Sequence, residues 1–215
     1  MKLSFREPVN ALTHLFGAIF AAIGLFFLID KAAGNSESAI AVTSVVIFGI
    51  SMILLYAASA TYHSVIAKDN IIQFLRKIDH SMIYVLIAGT YTPFCLIVME
   101  GTVGWVLFLV VSTLALLGVL FKLTWFHSPR WLSTALYVIL GWIVVFFSSS
   151  LAPVLGSAGM LTLFLGGVFY TVGALIYWLK PNFLSFKHMG FHEIFHVFIL
   201  FGSLFHFICI YWFVL

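Results

Sequence analysis

Hydrophobic residues run along the chain in long unbroken stretches, and polar residues are confined to short segments between them. A helix that crosses a bilayer needs about 20 mostly apolar residues. Seven stretches meet this length, at approximately 11–29, 40–62, 80–99, 103–121, 131–150, 158–179 and 190–214. They are separated by DKAAGNSES, AKDNIIQFLRK, EGT, KLTWFHSPR, LAPVLGS and KPNFLSFK. The pattern predicts a seven-transmembrane-helix bundle.

Composition supports a membrane protein. The chain is 63% hydrophobic and only 8% charged, with a mean hydropathy of +1.17. A soluble globule of this size requires more polar residues on its surface. We therefore expect an all-α, polytopic integral membrane protein with one domain over residues 1–215. Asp30 and Lys31 follow the first stretch in place of a small-residue cleavage site, which predicts a retained helix and not a signal peptide.

Lysine and arginine are distributed unevenly between the two sides of the predicted bundle. One side has only Lys31. The other side carries Lys2, Arg6, Lys68, Arg76, Lys77, Lys122, Arg130, Lys180 and Lys187. Because basic loops favour the cytoplasm, we predict a cytoplasmic N-terminus and a C-terminus outside. The net charge of +3 reflects this bias, and no fold signal or basic cluster indicates a nucleic-acid partner.

Side chains that can bind a metal recur at the predicted cytoplasmic ends of three helices. His63 ends the second stretch, Asp79 and His80 open the third, and His188, His192 and His196 open the seventh. Three segments distant in sequence thus bring ligand-type side chains to one membrane depth. Ionisable groups within membrane spans are usually functional. This convergence predicts a metal site.

Helical spacing supports the same site. His192 and His196 are four residues apart and share a helix face, as do Ser59 and His63. Three imidazoles and a water compose a catalytic zinc site with one open position, although imidazole also suits copper, iron and nickel. Asp79 is placed to accept a hydrogen bond from a metal-bound water or a ligand histidine. It is equally a good N-cap for the third helix.

Other interpretations compete at several positions. Residues 192–196 also read H-E-x-x-H, the zinc-peptidase pattern with Glu193 as base, and interior histidines can simply be hydrogen-bonded. Ser59 could instead bond to its own helical turn or allow close helix packing. His206 should lie roughly 15 Å deeper than His196, as an interior hydrogen-bonding residue. Three residues near the N-terminus, at helical spacing, either line the mouth of the site or anchor the interface: Glu7, Asn10 and His14.

The motifs SATYH, KIDHSMIYVLIAGTYTPF and HEIFHVFILFGSLFHF, with EPVNALTHLFGAIF before them, resemble the hemolysin III family. That family is the bacterial branch related to the progestin and adipoQ receptors and to the alkaline ceramidases. The resemblance implies zinc held by His63, His192 and His196, with Asp79 acting through a bound water and Ser59 close by. The family pattern requires only H-x-x-x-H, so Glu193 lies outside it. The resemblance also implies a multi-pass protein of the bacterial plasma (inner) membrane.

Two functions follow as expectations. The first is a zinc-dependent hydrolase of a lipid amide or ester, in which the membrane lipid is the substrate and Asp79 manages the proton. The alternative is a non-enzymatic sensor or regulator of membrane state, or a cytolytic factor. In that case zinc would be a structural link between helices.

Overall fold

The computed structural model describes residues 5–35, 38–184, 186 and 189–215, and these residues form an all-α protein. The helices are α1 (Pro8–Asn35), α2 (Ala39–Ser64), α3 (Asp69–Pro93), α4 (Gly101–Thr124), α5 (Arg130–Trp142), α6 (Ser148–Leu179) and α7 (Phe191–Cys209). α3 continues in a π-helical turn, Phe94–Val98, and α7 in another, Ile210–Val214. A 3₁₀ turn, Ile143–Phe147, joins α5 to α6.

Six apolar helical stretches of the described chain are long enough to cross a membrane, which confirms a polytopic membrane protein. The fifth stretch covers 50 residues, Arg130–Leu179. A straight helix of that length would measure about 75 Å, far beyond a hydrocarbon core of about 30 Å. The predicted count of seven spans and the orientation of the termini therefore depend on how this stretch folds.

The long stretch reverses direction at Gly156. This residue has φ 62° and ψ −178°, outside helical geometry, and glycine adopts a positive φ without a steric penalty. Nε1 of Trp142 donates a hydrogen bond of 2.8 Å to Oγ1 of Thr171, 29 residues further on. Because a straight helix would hold these residues far apart, the chain must double back. The segment LAPVLGS, predicted as a connection, is helical except at this glycine.

α3 begins ten residues earlier than the sequence analysis placed it. Its first residue is Asp69 and its N-cap is Lys68, so the prediction that Asp79 opens or caps this helix is wrong. The segment contains no glycine or proline, and an aspartate in the first turn interacts favourably with the helix dipole. The predicted hydrophobic stretch ends at the charged residues, whereas the helix continues through them. Asp79 therefore lies in the interior of α3, with its side chain not needed as a cap.

A close contact between α2 and α3 sets the level of the site. At Gly89 an added Cβ would overlap the side chain of Ser51, so the two helices approach through small residues, as membrane helices commonly do. Only residues 65–68 connect α2 to α3, and packed helices joined by so short a connection run antiparallel. Residues after Ser51 on α2 therefore meet residues before Gly89 on α3, which brings Ser59 to the level of Asp79.

A polar link in the bundle interior fixes α2 against α7. The hydroxyl of Tyr56 donates to Oγ of Ser203 at 2.5 Å, and the hydroxyl of Tyr170 on α6 lies 2.8 Å from the same oxygen. Polar groups in a bilayer need partners inside the protein. His63 is seven residues beyond Tyr56, and His196 is seven residues before Ser203. Each histidine is therefore about two helical turns from this link, and the two lie at the same depth in the bundle.

Apolar side chains fill the interior and also cover the outside. One buried cluster includes Leu28, Phe48 and Leu151, and a second, between α3, α4 and α5, includes Val111 and Leu140. Large apolar side chains remain exposed along the outer helix faces, among them Phe20, Phe26, Val110, Leu116 and Phe146. Such a surface suits lipid contact and not water.

Candidate metal centre

Three histidines from α2 and α7 meet at one point. One ring nitrogen from each of His63, His192 and His196 lies within 4.8 Å of the others, and Nε2 of His63 is 3.4 Å from Nε2 of His192. His63 and His196 are 1% and 2% exposed, and His192 is half-buried. The predicted convergence of these three side chains is confirmed.

The spacing of the ring nitrogens fits a bound metal ion. Two imidazole nitrogens on a tetrahedral zinc ion, each 2.0–2.1 Å from it, are about 3.4 Å apart. The two Nε2 atoms of His63 and His192 have this separation. The three residues thus form a group that can bind a metal ion, with nitrogen ligands that several transition metals accept.

Glu7 orients His63. Its carboxylate oxygen Oε2 lies 2.5 Å from Nδ1 of His63, and its backbone N–H donates to the carbonyl of His63 at 3.0 Å. With the proton on Nδ1, the lone pair of Nε2 faces the other histidines. Burial raises the pKa of Glu7, but the charge and hydrogen bond of His63, with Asn10 and Arg6, outweigh it and lower the pKa overall.

A polar chain continues from Glu7 to the start of α7. Nδ2 of Asn10 donates to Oε2 of Glu7 at 3.2 Å and to Oε1 of Glu193 at 2.9 Å. The other oxygen of Glu193, Oε2, accepts a 2.7 Å hydrogen bond from the backbone N–H of Gly190. Glu193 is therefore engaged in capping α7, and none of these contacts supports a peptidase base.

His14 is a third residue near the N-terminus that lies at the histidine group. Its ring stacks on that of His196, with centroids 3.7 Å apart and planes 9° from parallel, and it is buried. The sequence left two alternatives for Glu7, Asn10 and His14: lining the site or anchoring the membrane interface. The structure favours the first. The sequence showed their helical spacing but gave no sign that Glu7 bonds directly to His63.

Asp79 and Ser59 lie beside the histidines without joining the metal-binding group found among the described residues. Both line a cavity of about 410 Å³ that His192 and His196 also line. The side chain of Ser59 lies close to the Asp79 carboxyl group. Their predicted roles, action through a bound water and support of that action, stay predictions.

The remaining histidines separate into distinct positions. Nδ1 of His206 donates to the carbonyl of Gly202 at 2.7 Å, and its ring stacks on Tyr170, which confirms an interior hydrogen-bonding residue. His80 and His127 both line the cavity, and His127 is exposed. His188 falls outside the described residues, as do two basic residues used to predict orientation, Lys2 and Lys187.

Comparison with known proteins identifies the family of the chain. The family model described as "Haemolysin-III related" matches residues 4–207. The "Hemolysin-3 homolog" of Bacillus subtilis (strain 168) is 43% identical over 206 residues, covering 95% of this chain and 92% of its own. The "Hemolysin-3" of Bacillus cereus is 39% identical over 211 residues, covering 98% and 92%. The chain belongs to the haemolysin-III-related family of multi-pass membrane proteins.

Proposed function

We propose that the protein is a zinc-dependent hydrolase of a lipid amide or ester, acting in the bacterial plasma membrane. The observation that carries this proposal is the group of three imidazoles, two of them buried and one half-buried, beside a cavity that also holds a carboxyl group. Catalytic zinc sites use three protein ligands and keep one position open, whereas structural sites use four. Among the described residues the group has three ligands.

We also propose that the bundle crosses the membrane seven times, with the metal centre near the cytoplasm. Reversal at Gly156 divides the stretch Arg130–Leu179 into two arms. Because this stretch then crosses the membrane twice and the other five cross once each, the six apolar stretches give seven crossings. The odd number agrees with the concentration of basic residues at one end of the bundle. It places the N-terminus inside and the C-terminus outside.

Each residue of the centre has a role in this proposal. Bound zinc would supply Lewis acidity and lower the pKa of a coordinated water towards neutrality. His63, His192 and His196 hold the ion, and Glu7 fixes the ring of His63 through Nδ1. Asp79 accepts a proton from the attacking water and returns it to the leaving group. Ser59, which lines the same cavity, supports that carboxyl group.

The cavity supports a lipid as the substrate. Its lining includes the apolar residues Leu55, Ile83, Leu86, Ile87 and Val138 beside the polar ones. Ligand cavities of this kind bind an apolar body and use a few polar groups for orientation. An acyl chain would lie along the apolar wall, with its carbonyl group at the histidines.

A non-enzymatic role is the second candidate. The metal centre joins α2 to α7, because His63 belongs to one helix and the other two histidines belong to the other. An ion there would act as a cross-link between helices, as in a sensor of membrane state or a cytolytic protein. The latter agrees with the name of the relatives, hemolysin-3.

The test is release of fatty acid from a panel of membrane lipids, including ceramide and phospholipids, by the purified zinc-loaded protein. We expect release by the wild type and a loss of at least about 100-fold in Asp79→Asn, the size of a general acid–base contribution. The matched control is Asp69→Asn, which changes an exposed aspartate of the same helix. If the zinc-loaded wild type releases no fatty acid from the whole panel, the hydrolase is contradicted and the structural role is favoured.

His63→Ala separates the two roles further. A structural ion predicts that this variant unfolds in detergent, because the link between α2 and α7 is lost. A catalytic centre predicts a folded variant without activity. Size-exclusion chromatography and circular dichroism distinguish the two results.

A further inference from the structure

We propose that Arg76, Lys122 and Arg130 form an anion site at the mouth of the cavity that binds the phosphate group of a lipid headgroup. The inference rests on the proposed function for the idea that the bound lipid is the substrate. It extends that function by naming the class: lipids that carry a phosphate monoester. All three cationic residues line the cavity that also reaches the metal centre.

The first observation is the burial of Lys122. It lies at the end of α4, yet it is only 3% exposed. Its Nζ donates to Oγ of Ser133 and, at 3.4 Å, to Oγ of Ser128. A buried cation is costly unless it is paired with an anion. Hydroxyl groups solvate the ammonium group but do not neutralise it.

No carboxylate of the described chain neutralises this group. Two ion pairs within 4 Å are found there, and both involve Glu7. Arg76, Lys122 and Arg130 therefore have no acidic partner at that distance in the part of the chain that the structure describes. A positive charge buried without a counterion indicates a ligand that supplies one.

The three cationic groups surround one space. Cζ of Arg76 lies 5.2 Å from the centre of the Phe126 ring, and Nζ of Lys122 lies 6.0 Å from it. Cζ of Arg130 lies 5.0 Å from the ring of Tyr177. The charges of all three act on His80, whose ring centre lies 5.7 Å from that of Phe126 and 6.1 Å from that of Tyr177.

The charge balance favours a phosphate monoester over a carboxylate. Asp79 is the acidic residue among the described residues that line the cavity, so three cations exceed one carboxylate by two charges. A phosphate monoester carries about −1.5 to −2 near neutral pH, whereas a fatty acid carries a single charge. Arginine also matches phosphate with paired hydrogen bonds. The hydroxyls of Ser128 and Ser133 add further donors.

Tyr177 connects the anion site to the metal centre. Its ring faces the guanidinium of Arg130 on one side, and its centroid lies 5.7 Å from that of His192. A lipid with its phosphate at the three cations can therefore extend its acyl carbonyl towards the histidines. Binding energy from the headgroup would then orient the carbonyl for reaction.

The test is binding of short-chain lipids to the zinc-loaded protein in detergent, measured by isothermal titration calorimetry. We expect dioctanoyl phosphatidic acid to bind at least 10-fold more tightly than dioctanoylglycerol, which has the same chains and no phosphate. Lys122→Met and Arg130→Gln should each abolish this preference. The matched control is Lys77→Gln, since Lys77 neighbours Arg76 but lies outside the cavity lining. It should bind as the wild type does.

Three results decide the proposal. If folded Arg130→Gln binds phosphatidic acid as tightly as the wild type does, the proposal is overturned. Arg130 is half-buried, so this variant provides the test if Lys122→Met does not fold. Competition by inorganic phosphate at the same concentration would show that the site takes free phosphate and would overturn the lipid assignment. Retained preference in His192→Ala/His196→Ala would support it. Because that readout is binding, failure of the hydrolase would appear separately, as absent fatty-acid release.

Discussion

Nδ1 of His63 lies 2.5 Å from Oε2 of Glu7, so a residue just before α1 fixes a ring at the end of α2. The two residues are 56 positions apart in the sequence. A carboxylate bonded to the far nitrogen of a metal-binding histidine fixes the tautomer and strengthens the ligand. The N-terminal segment is therefore part of the metal centre.

Replacing Glu7 should weaken zinc binding. Glu7→Gln keeps the shape and one acceptor but removes the negative charge that favours the proton on Nδ1. We expect a fall in zinc affinity of about 10- to 100-fold, measured by competition with a chromophoric chelator. Asp69→Asn makes the same charge change at an exposed position and should bind zinc as the wild type does. Unchanged affinity in Glu7→Gln would mean that this contact does not tune the site.

Removing two of the three imidazoles should remove the metal. We expect about one zinc ion per chain in the purified wild type and near-background zinc in His192→Ala/His196→Ala, because one remaining histidine cannot hold an ion tightly. Elemental analysis after identical purification provides the measurement. Replacement of His127, an exposed histidine, by alanine is the control and should leave the zinc content unchanged. Equal zinc in the double variant and the wild type would refute the assignment of the ligands.

Glu193→Gln should leave the metal content nearly unchanged. Its two oxygens bond to Gly190 and Asn10, and glutamine retains an acceptor for the capping position. Zinc content and fatty-acid release should both remain close to those of the wild type. If release is lost while zinc is retained, Glu193 acts as a base and the peptidase-like interpretation of H-E-x-x-H returns.

Gly89→Ala should destabilise the bundle by about 1–3 kcal/mol, the usual cost of overpacking. The added methyl group would overlap Ser51 and separate α2 from α3. Gly141→Ala is the matched control, since a Cβ there meets nothing within 4 Å. Unfolding titrations in mixed micelles compare the two free energies. Equal stability would show that α2 and α3 can move apart without loss.

Local spacing in the sequence was sufficient to pair His192 with His196, which lie one helical turn apart, whereas His63 was predicted from its membrane depth and from the family resemblance. It was insufficient for Asp79. The charged segment before it carries no helix breaker, so α3 begins at Asp69, before the apolar residues that indicate a membrane span. The burial of Lys122 depends on where the segment after α4 packs. No local pattern of residues encodes that position.

The contacts that align the helices could not be predicted from the sequence either. Tyr56 and Ser203 are 147 positions apart, and each is an ordinary residue of a membrane helix. Their pairing depends on how α2 packs against α7, which is a property of the whole bundle. The sequence therefore indicated which side chains form the group that can bind a metal ion, while the tertiary structure was needed to find the groups that orient them.

Gly156 makes its reversal with a single residue, and helical chain continues on both sides of it. Insertions and proteolytic cuts are tolerated at exposed irregular loops and not within hydrogen-bonded helix. This turn is therefore a poor place for an epitope tag or an engineered protease site. A reporter of membrane sidedness is better attached at a chain end than between the two arms of this hairpin.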